Sequence, residues 1–147
     1  GYRYLYDDSS GSQTTTGAGG YQRESNYFYS PVGMKLEIYP DENWTLDLKG
    51  EYDIFWRGYQ RSVLGDVLAG HPTVHNDQEI FEGYGFKITA GIARQIKSMT
   101  VRLGVFYHYW RIGRSENDAV VYNGTNVTYY EPKNRTQEIG GRLSFLF

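Results

Sequence analysis

The stretch that decides the fold is "TLDLKGEYDIFWRGYQ", residues 45–60. Apolar side chains occupy every second position, and charged side chains occupy the positions between them. One face carries Leu46, Leu48, Tyr52, Ile54 and Trp56, and the other carries Asp47, Lys49, Glu51, Asp53 and Arg57. A period of two is typical of a β-strand with two different faces, whereas an amphipathic helix repeats its apolar residues three or four apart. The sequence therefore predicts one long strand here.

The same alternation recurs from one end of the chain to the other and predicts six strands and no helix. The strands are expected at residues 2–8, 23–39, 45–60, 79–95, 101–110 and 140–147. Connections rich in Ser, Thr, Gly, Asn or Pro are long at about 8–21, 64–77 and 115–135, and short at 40–44 and 96–99. The predicted fold class is all-β, an antiparallel up-and-down barrel.

Composition limits the function classes. The 147 residues predict one domain, 1–147, and the formal charge of -2 gives no basic footprint for nucleic acid. The chain has no cysteine, which excludes disulfides, thiolate metal sites and a Cys nucleophile. No motif indicates a cofactor. The 15 Tyr and 18 Gly are unusual for a routine soluble domain.

Alternation alone does not say which face is buried. A soluble barrel or sandwich turns its apolar face inward, whereas a membrane barrel turns it toward lipid around a polar lumen. The ten steps from Leu46 to Trp56, at ~3.3 Å each and a tilt of about 40°, give roughly 25 Å, the height of a lipid-facing band. The polar face is also rich in glycine, as a crowded lumen requires. Aromatic residues at the ends of the apolar bands predict interface positions for Trp44, Trp56, Tyr107 and Tyr109. These three features favour the membrane barrel.

The ending "GGRLSFLF", residues 140–147, resembles the C-terminal assembly signal of bacterial outer-membrane β-barrel proteins. Gly141, Leu143, Phe145 and Phe147 match its pattern of a glycine, alternating hydrophobic residues and a terminal aromatic. The resemblance implies a location in the bacterial outer membrane, surrounded by outer-membrane lipid, and recognition by the barrel-assembly machinery during insertion. It also implies that the C-terminus and the short turns are periplasmic and that the long loops lie outside.

Six strands are fewer than the eight of the smallest common barrels of this kind. Either the N-terminal loop contains a hidden hairpin or further strands precede residue 1. Because residues 9–20 are rich in Ser, Thr and Gly, we expect the chain to lack N-terminal strands of the complete barrel.

The charged face is predicted to form a lumen network. Its members are Lys35, Glu37, Asp47, Lys49, Glu51, Asp53, Arg57, Lys87, Arg102, His108, Glu138 and Arg142. Since an unpaired charge in a narrow lumen is costly, we expect pairing across strands. A five-residue turn at 41–45 would set Glu37 opposite Lys49 and Lys35 opposite Glu51. A three-residue turn would set Lys35 opposite Asp47.

No catalytic constellation is evident. His71 and His75 share a Pro-containing loop, which is a poor setting for a metal site, and His108 has no nucleophile placed beside it by sequence. We therefore predict no metal site and no enzyme. The leading hypothesis is a membrane-anchored scaffold or surface-interaction protein. The alternatives are a porin-like channel for small solutes and an outer-membrane barrel enzyme, a protease or a lipid-modifying enzyme.

The long loops 8–21, 64–77 and 115–135 are the predicted contacts for a surface partner. The third contains "VVYNGTNVTYY", residues 120–130, whose alternating β-branched and aromatic residues favour an extension of the hairpin.

Overall fold

The computed structural model describes residues 1–67 and 69–147. Within them the chain is all-β, with nine strands and one short 3-10 turn at Leu64–Asp66. The strands are β1 (Tyr2–Asp8), β2 (Gln22–Asp41), β3 (Trp44–Val63), β4 (Thr73–Gln78), β5 (Gly83–Ile96), β6 (Met99–Ile112), β7 (Asp118–Tyr122), β8 (Thr125–Tyr129) and β9 (Asn134–Leu146). All six predicted strands are present, so the prediction of an all-β fold is confirmed. The count of six was too low, because β4, β7 and β8 lie in segments expected to be loops.

Seven strands share one sheet in the order β1-β2-β3-β5-β6-β9, with β4 also pairing β3. The pairs β1–β2, β3–β4 and β3–β5 are antiparallel. The strands β7 and β8 form a separate antiparallel hairpin. Apart from β4, the strands of this sheet therefore lie side by side in the order in which they occur along the chain, as an up-and-down topology requires.

Both short turns occur where the sequence predicts them, but the first has two residues, Glu42 and Asn43, and the predicted lengths of five or three residues are wrong. Between β2 and β3, Asp41 Oδ1 accepts hydrogen bonds from the backbone N–H groups of Asn43 (2.7 Å) and Trp44 (3.1 Å). This Asx-type arrangement explains how two residues suffice to reverse the chain. Between β5 and β6, Lys97 adopts a positive φ of 54°.

The chain divides into two compact units. The first unit comprises Gly1–Ser30, Phe55–Gly83 and Ile112–Asn134, and the second comprises Pro31–Ile54, Tyr84–Arg111 and Arg135–Phe147. The three long connections belong to the first unit. Both short turns and the last strand belong to the second. The assignment of the whole chain to one outer-membrane domain stays a prediction.

The first unit has a small mixed core. Tyr27 and Phe55 are fully shielded and pack with ring centroids 6.0 Å apart, and Val74 and Ile112 are buried with them. The buried polar side chains of this unit are Ser25, Gln60, Ser62, Asn76, Gln78, Ser115 and Glu131. Ser25 Oγ donates a hydrogen bond to Gln60 Oε1 at 3.2 Å. Polar side chains thus fill much of the interior of this unit.

The shielded face of β3 changes phase inside the first unit. Phe55 is buried, the next two residues, Trp56 and Arg57, are both exposed, and Gly58 and Gln60 are buried after them. Odd positions therefore face inward before this point and even positions after it. An extra residue in a strand produces such a shift, as in a β-bulge.

The second unit exposes its apolar side chains and shields several charges. Met34 is 81% and Ile139 86% exposed, whereas Asp53 is fully buried. The exposed large apolar residues of β2, β3, β5, β6 and β9 in this unit include Val32, Met34, Leu36, Ile38, Tyr39, Leu46, Leu48, Tyr52, Ile88, Ile92, Ile96, Leu103, Val105, Ile139, Leu143, Phe145 and Leu146. A water-soluble sheet would normally show the opposite arrangement. No helix among the described residues is long and apolar enough to cross a membrane.

Candidate functional site

The most deeply shielded charge of the second unit is the carboxylate of Asp53 on β3. Its Oδ2 atom lies 3.0 Å from Nε2 of His108 on β6, and His108 Nδ1 lies 3.9 Å from Glu138 Oε2 on β9. The indole of Trp110 packs beside the imidazole, with ring centroids 5.5 Å apart. The imidazole is thereby held between two carboxylates, which fixes the direction of both ring nitrogens.

Glycines on β5 allow charges from β3 and β6 to meet across it. Gly85 lies opposite Asp53 in the β3–β5 register, and a Cβ atom there would be 2.6 Å from Asp53 Oδ2. Gly91 lies opposite Asp47, and its Cβ would be 2.7 Å from Asp47 Oδ1. The Asp47 carboxylate occupies the space left by Gly91, and Arg102 Nη2 lies 2.8 Å from Asp47 Oδ1. The expectation that glycine makes room for long charged neighbours is confirmed at these two positions.

Two other predicted pairs form along strands. Lys35 pairs with Glu37 at 2.6 Å on β2, and Lys49 pairs with Glu51 at 2.5 Å on β3. The expectation was pairing between the two strands. Residues two apart on a strand share a face, so a long lysine reaches the glutamate of its own strand.

Lys87, Arg102 and Arg142 line a recess on the charged face of the second unit. Its cavity volume is about 100 Å³, and Asp47, Thr89 and Phe106 also line it. Lys87 Nζ lies over the Phe106 ring, 5.4 Å from its centroid. The sequence predicts that these three cations share one face, but it does not indicate that their side chains line the same recess.

Arg57 was predicted to belong to the lumen network, but it lies in the first unit. Its side chain is 56% exposed and its Nη2 atom pairs with Asp77 Oδ2 on β4 at 3.1 Å, within the first unit. The phase shift of β3 explains this position. Strict alternation predicts that Arg57 shares the shielded face of β3 with Asp53. Because of the phase shift, its side chain lies on the exposed face instead.

The predicted interface aromatics make specific contacts. Trp44 lies under the Arg94 guanidinium at 4.9 Å, and Trp56 Nε1 donates a hydrogen bond to Ser30 Oγ at 2.8 Å. Tyr107 and Tyr109 pack on Phe86, with centroids 5.8 and 5.1 Å apart. Their position at a membrane interface stays a prediction.

Sequence reasoning missed an aromatic cluster in the second unit, made of Tyr52, Tyr84, Phe86, Tyr107 and Tyr109. Tyr52 stacks on Tyr84 at 6.1 Å, and Tyr84 lies 6.1 Å from Tyr109. The signal was present, because aromatic residues recur at equivalent positions of three long strands. Only the register shows that they form a single cluster.

The loops of the first unit are tied together by hydrogen bonds. The backbone N–H of His75 on β4 donates to Asp118 Oδ2 at 3.3 Å, and Asn76 Nδ2 donates to the Tyr129 carbonyl oxygen at 3.4 Å. The hairpin β7–β8 therefore docks on β4. Its turn residues, Asn123 and Gly124, both have positive φ, 49° and 75°, as a type I′ turn requires. The alternation of residues 120–130 predicted an extension of the neighbouring hairpin, whereas the structure forms a separate two-stranded sheet there.

His71 belongs to this loop assembly. Its ring lies 3.8 Å from that of Tyr122, and its Nδ1 atom is 2.8 Å from the Tyr129 hydroxyl. His75 lies on β4 and is exposed, whereas its neighbours Val74 and Asn76 are buried. Within residues 1–67 and 69–147, no group of three or more acidic or histidine side chains is arranged to hold a metal ion.

Two loop carboxyls have altered acidity. Burial raises the pKa of Glu131, and its ion pair with Arg23, at 3.1 Å, opposes that shift. The backbone of Glu131 is fixed by Ser115, whose Oγ atom accepts its N–H at 2.7 Å. The hydrogen bond and negative charge of Glu79 raise the pKa of Glu116.

The C-terminal residues that carry the assembly-signal pattern lie on β9 and just after it. Leu143, Phe145 and Phe147 are exposed, and Gly141 lies close to the Gly104 carbonyl oxygen of β6. Comparison with protein-family models finds no match. Comparison with curated proteins finds no similar sequence either.

Proposed function

We propose that this chain is part of an integral β-barrel of the bacterial outer membrane and serves as a membrane-anchored scaffold or surface-interaction protein. The observation that carries the proposal is the arrangement of the second unit, in which aliphatic side chains are exposed and the carboxylates of Asp47 and Asp53 are shielded. Lipid solvates such an apolar face, and a transmembrane strand alternates in this way.

The aromatic cluster supports the same environment. Tyr52, Tyr84, Phe86, Tyr107 and Tyr109 gather on the side of the sheet that carries the exposed aliphatic residues. Tyrosine suits the boundary between hydrocarbon and water, because its ring is apolar and its hydroxyl prefers water.

The charge pairs favour a scaffold over a pore. Within the second unit, Asp47 lies against Arg102, Asp53 against His108, Lys35 against Glu37 and Lys49 against Glu51. Side chains engaged in such pairs fill a lumen rather than line an open water path. The ordered loops of the first unit, with the hairpin β7–β8 docked on β4, would then present the surface for a partner.

Membrane fractionation combined with electrophoresis tests the location. The expected result is a protein that is extracted from outer membranes only with detergent and that migrates differently with and without heating, because a folded barrel resists unfolding in cold detergent. A protein that stays soluble and monomeric in buffer without detergent would contradict the proposal.

Recordings in planar bilayers separate the scaffold from its alternative, the porin-like channel. The scaffold is expected to give no steady ion current. A stable single-channel conductance would reject the scaffold and support the channel.

An outer-membrane enzyme remains the second candidate function, because the Asp53–His108 pair resembles the orientation of a general base by a carboxylate. Hydrolysis of peptide and lipid ester substrates by H108A and by H75A provides the comparison, since His75 is exposed and outside this pair. Loss of an activity in H108A alone would support the enzyme.

A further inference from the structure

The recess in the second unit exists because small residues leave space between long ones. Gly91 and Gly104, on the neighbouring strands β5 and β6, line it together with Thr89. Phe106 forms one side, and a Cβ atom at Gly140 would meet its ring at 2.6 Å. The volume of about 100 Å³ is several times the roughly 15 Å³ that one water needs by the same kind of measure.

The recess has more positive than negative charge. Lys87, Arg102 and Arg142 supply three cations, and Asp47 is its one carboxylate. Asp47 is engaged by Arg102 at 2.8 Å. Lys87 lies opposite Glu51 in the β3–β5 register, but the Glu51 carboxylate pairs with Lys49 at 2.5 Å. Among the described residues, no carboxylate lies within ion-pair distance of Lys87 or Arg142.

The chemistry of these groups points to one class of ligand. A guanidinium presents a planar set of donors that matches the oxygens of phosphate or carboxylate, and an ammonium adds a point charge. The hydroxyl of Thr89 is a further donor in the same recess. The Asp47 carboxylate would repel the ligand on one side, but it also holds Arg102 in place.

We propose that this recess binds a small oxyanion, with Lys87 and Arg142 as its main ligands and Arg102, held by Asp47, as a third. The bound group is a phosphate, sulfate or carboxylate, either free in solution or at the end of a larger anionic molecule. The inference does not depend on the membrane location, because binding can be measured in detergent or in plain buffer, whichever keeps the protein folded.

Titration calorimetry of the full chain with inorganic phosphate at low ionic strength tests the proposal, since salt screens such contacts. Saturable binding with one site is expected. R142Q and K87Q should each weaken it about tenfold or more, the effect of losing one charge-assisted hydrogen bond. The matched control is R135Q, because Arg135 is an exposed arginine on the same strand and outside the recess.

Folding of each variant is checked by its circular dichroism. R142K keeps the charge but loses the planar donor pair, so it should bind phosphate less tightly than the unaltered chain and more tightly than R142Q. Competition by phosphatidylglycerol in the same cell would identify a lipid headgroup as the source of the oxyanion, and no competition would identify a free solute. Absence of saturable binding, or equal affinities in R142Q, K87Q and R135Q, would overturn the proposal.

Discussion

At the scale of single residues, the absence of a side chain on β5 decides which charges meet. Gly85 and Gly91 lie opposite Asp53 and Asp47 of β3, whose carboxylates reach His108 and Arg102 of β6. In each case the two interacting side chains come from β3 and β6, which are separated by β5. Their backbones are therefore farther apart than those of residues on adjacent strands. An alanine would occupy the path of the carboxylate, so these glycines control the ion pairs without taking part in them.

The first prediction concerns Gly85. In G85A the new methyl group would lie 2.6 Å from Asp53 Oδ2 and 2.9 Å from the Trp110 ring, so either the carboxylate or the indole must move. We expect a loss of about 1–3 kcal/mol in the free energy of unfolding, as overpacking typically costs. Denaturant titration in the medium that keeps the chain folded measures it.

G50A is the matched control, because no atom lies within 4 Å of its Cβ position. It should be neutral or up to about 1 kcal/mol more stable, since alanine restricts the unfolded chain. Equal midpoints for G85A and G50A would show that the space over Gly85 is not needed.

The second prediction concerns the pH dependence of stability at Glu131. Burial raises the pKa of this carboxyl above its usual value of 4.5, so the folded chain binds its proton more tightly than the unfolded chain does. Below pH 4.5 the carboxyl is protonated in both the folded and the unfolded chain, and burial of its charge costs nothing. As the pH rises from there through the raised pKa of the folded state, this cost appears and the free energy of unfolding falls. E131Q removes that cost.

The difference in free energy of unfolding between the unaltered chain and E131Q should therefore decrease as the pH rises over this window. E42Q, which removes an exposed carboxylate in the β2–β3 turn, controls for the loss of one negative charge. A difference that increases with pH would mean that the ion pair with Arg23 outweighs burial.

The sequence predicts the face of most charged residues but not their partners. Asp53 and His108 lie on faces that alternation assigns correctly, yet they are 55 residues apart and meet across a third strand. For Lys35 and Lys49 the partner is on the same strand, a choice that depends on side-chain reach. Register and reach are properties of the folded sheet, so a single sequence leaves them open.

At the scale of elements, the loops of the first unit are more ordered than their composition indicates. The segment 115–135 forms a hairpin, and the segment 64–77 contributes β4, which pairs with the end of β3. Hydrogen bonds from His75 and Asn76 then fasten the hairpin to β4. The loops thus form one supported surface.

The third prediction concerns the hairpin turn. Gly124 has a φ of 75°, which a β-branched residue adopts only with strain, so G124V should destabilise the β7–β8 pairing. Faster hydrogen exchange is expected at Val120 and Val127, which are register partners. The rest of the sheet should keep its protection.

The control is N123G, which places glycine at the neighbouring position of positive φ, 49°, and so preserves the turn. Equal rates of amide hydrogen exchange at Val120 and Val127 in G124V and N123G would show that the turn does not stabilise the hairpin.

The elements that sequence reasoning found are those with strong apolar alternation. It missed β4, "TVHNDQ", because five of its six residues are polar and the strand is stabilised by pairing with β3. It started β5 four residues early, at Glu79 instead of Gly83, because Ile80 and Phe81 continue an apolar pattern. Phe81 in fact has a φ of 66°, which ends any strand conformation there.

At the scale of the whole molecule, the inversion of apolar and charged side chains is the most informative property. In the second unit the exposed residues include Leu48 and Val105, and the shielded ones include Asp47 and Asp53. An exposed aliphatic surface of this extent is typical of a site of contact with a membrane or with another protein.

The fourth prediction tests that surrounding directly. L48R places a cation on the exposed apolar face, and in lipid vesicles we expect a loss of about 2–4 kcal/mol, the cost for a lipid-facing strand near the bilayer midplane. V121R is the control, because Val121 is also exposed but belongs to the hairpin β7–β8. The folded fraction after refolding into vesicles, against urea, gives the measurement.

The membrane reading predicts that L48R alone impairs folding. Equal folding of both variants would indicate that Leu48 faces water, and the proposed function would then be wrong.

The phase shift of β3 at Trp56 and Arg57 has a consequence for mutational scanning. A scan of charged substitutions along this strand should give an alternating tolerance profile that loses its rhythm at these two neighbours and resumes one position out of step. A profile fitted with a single period of two would group Gly58 and Gln60 with the exposed Trp56, although both are buried like Phe55. Deleting one of the two neighbours would restore a uniform alternation along the whole strand.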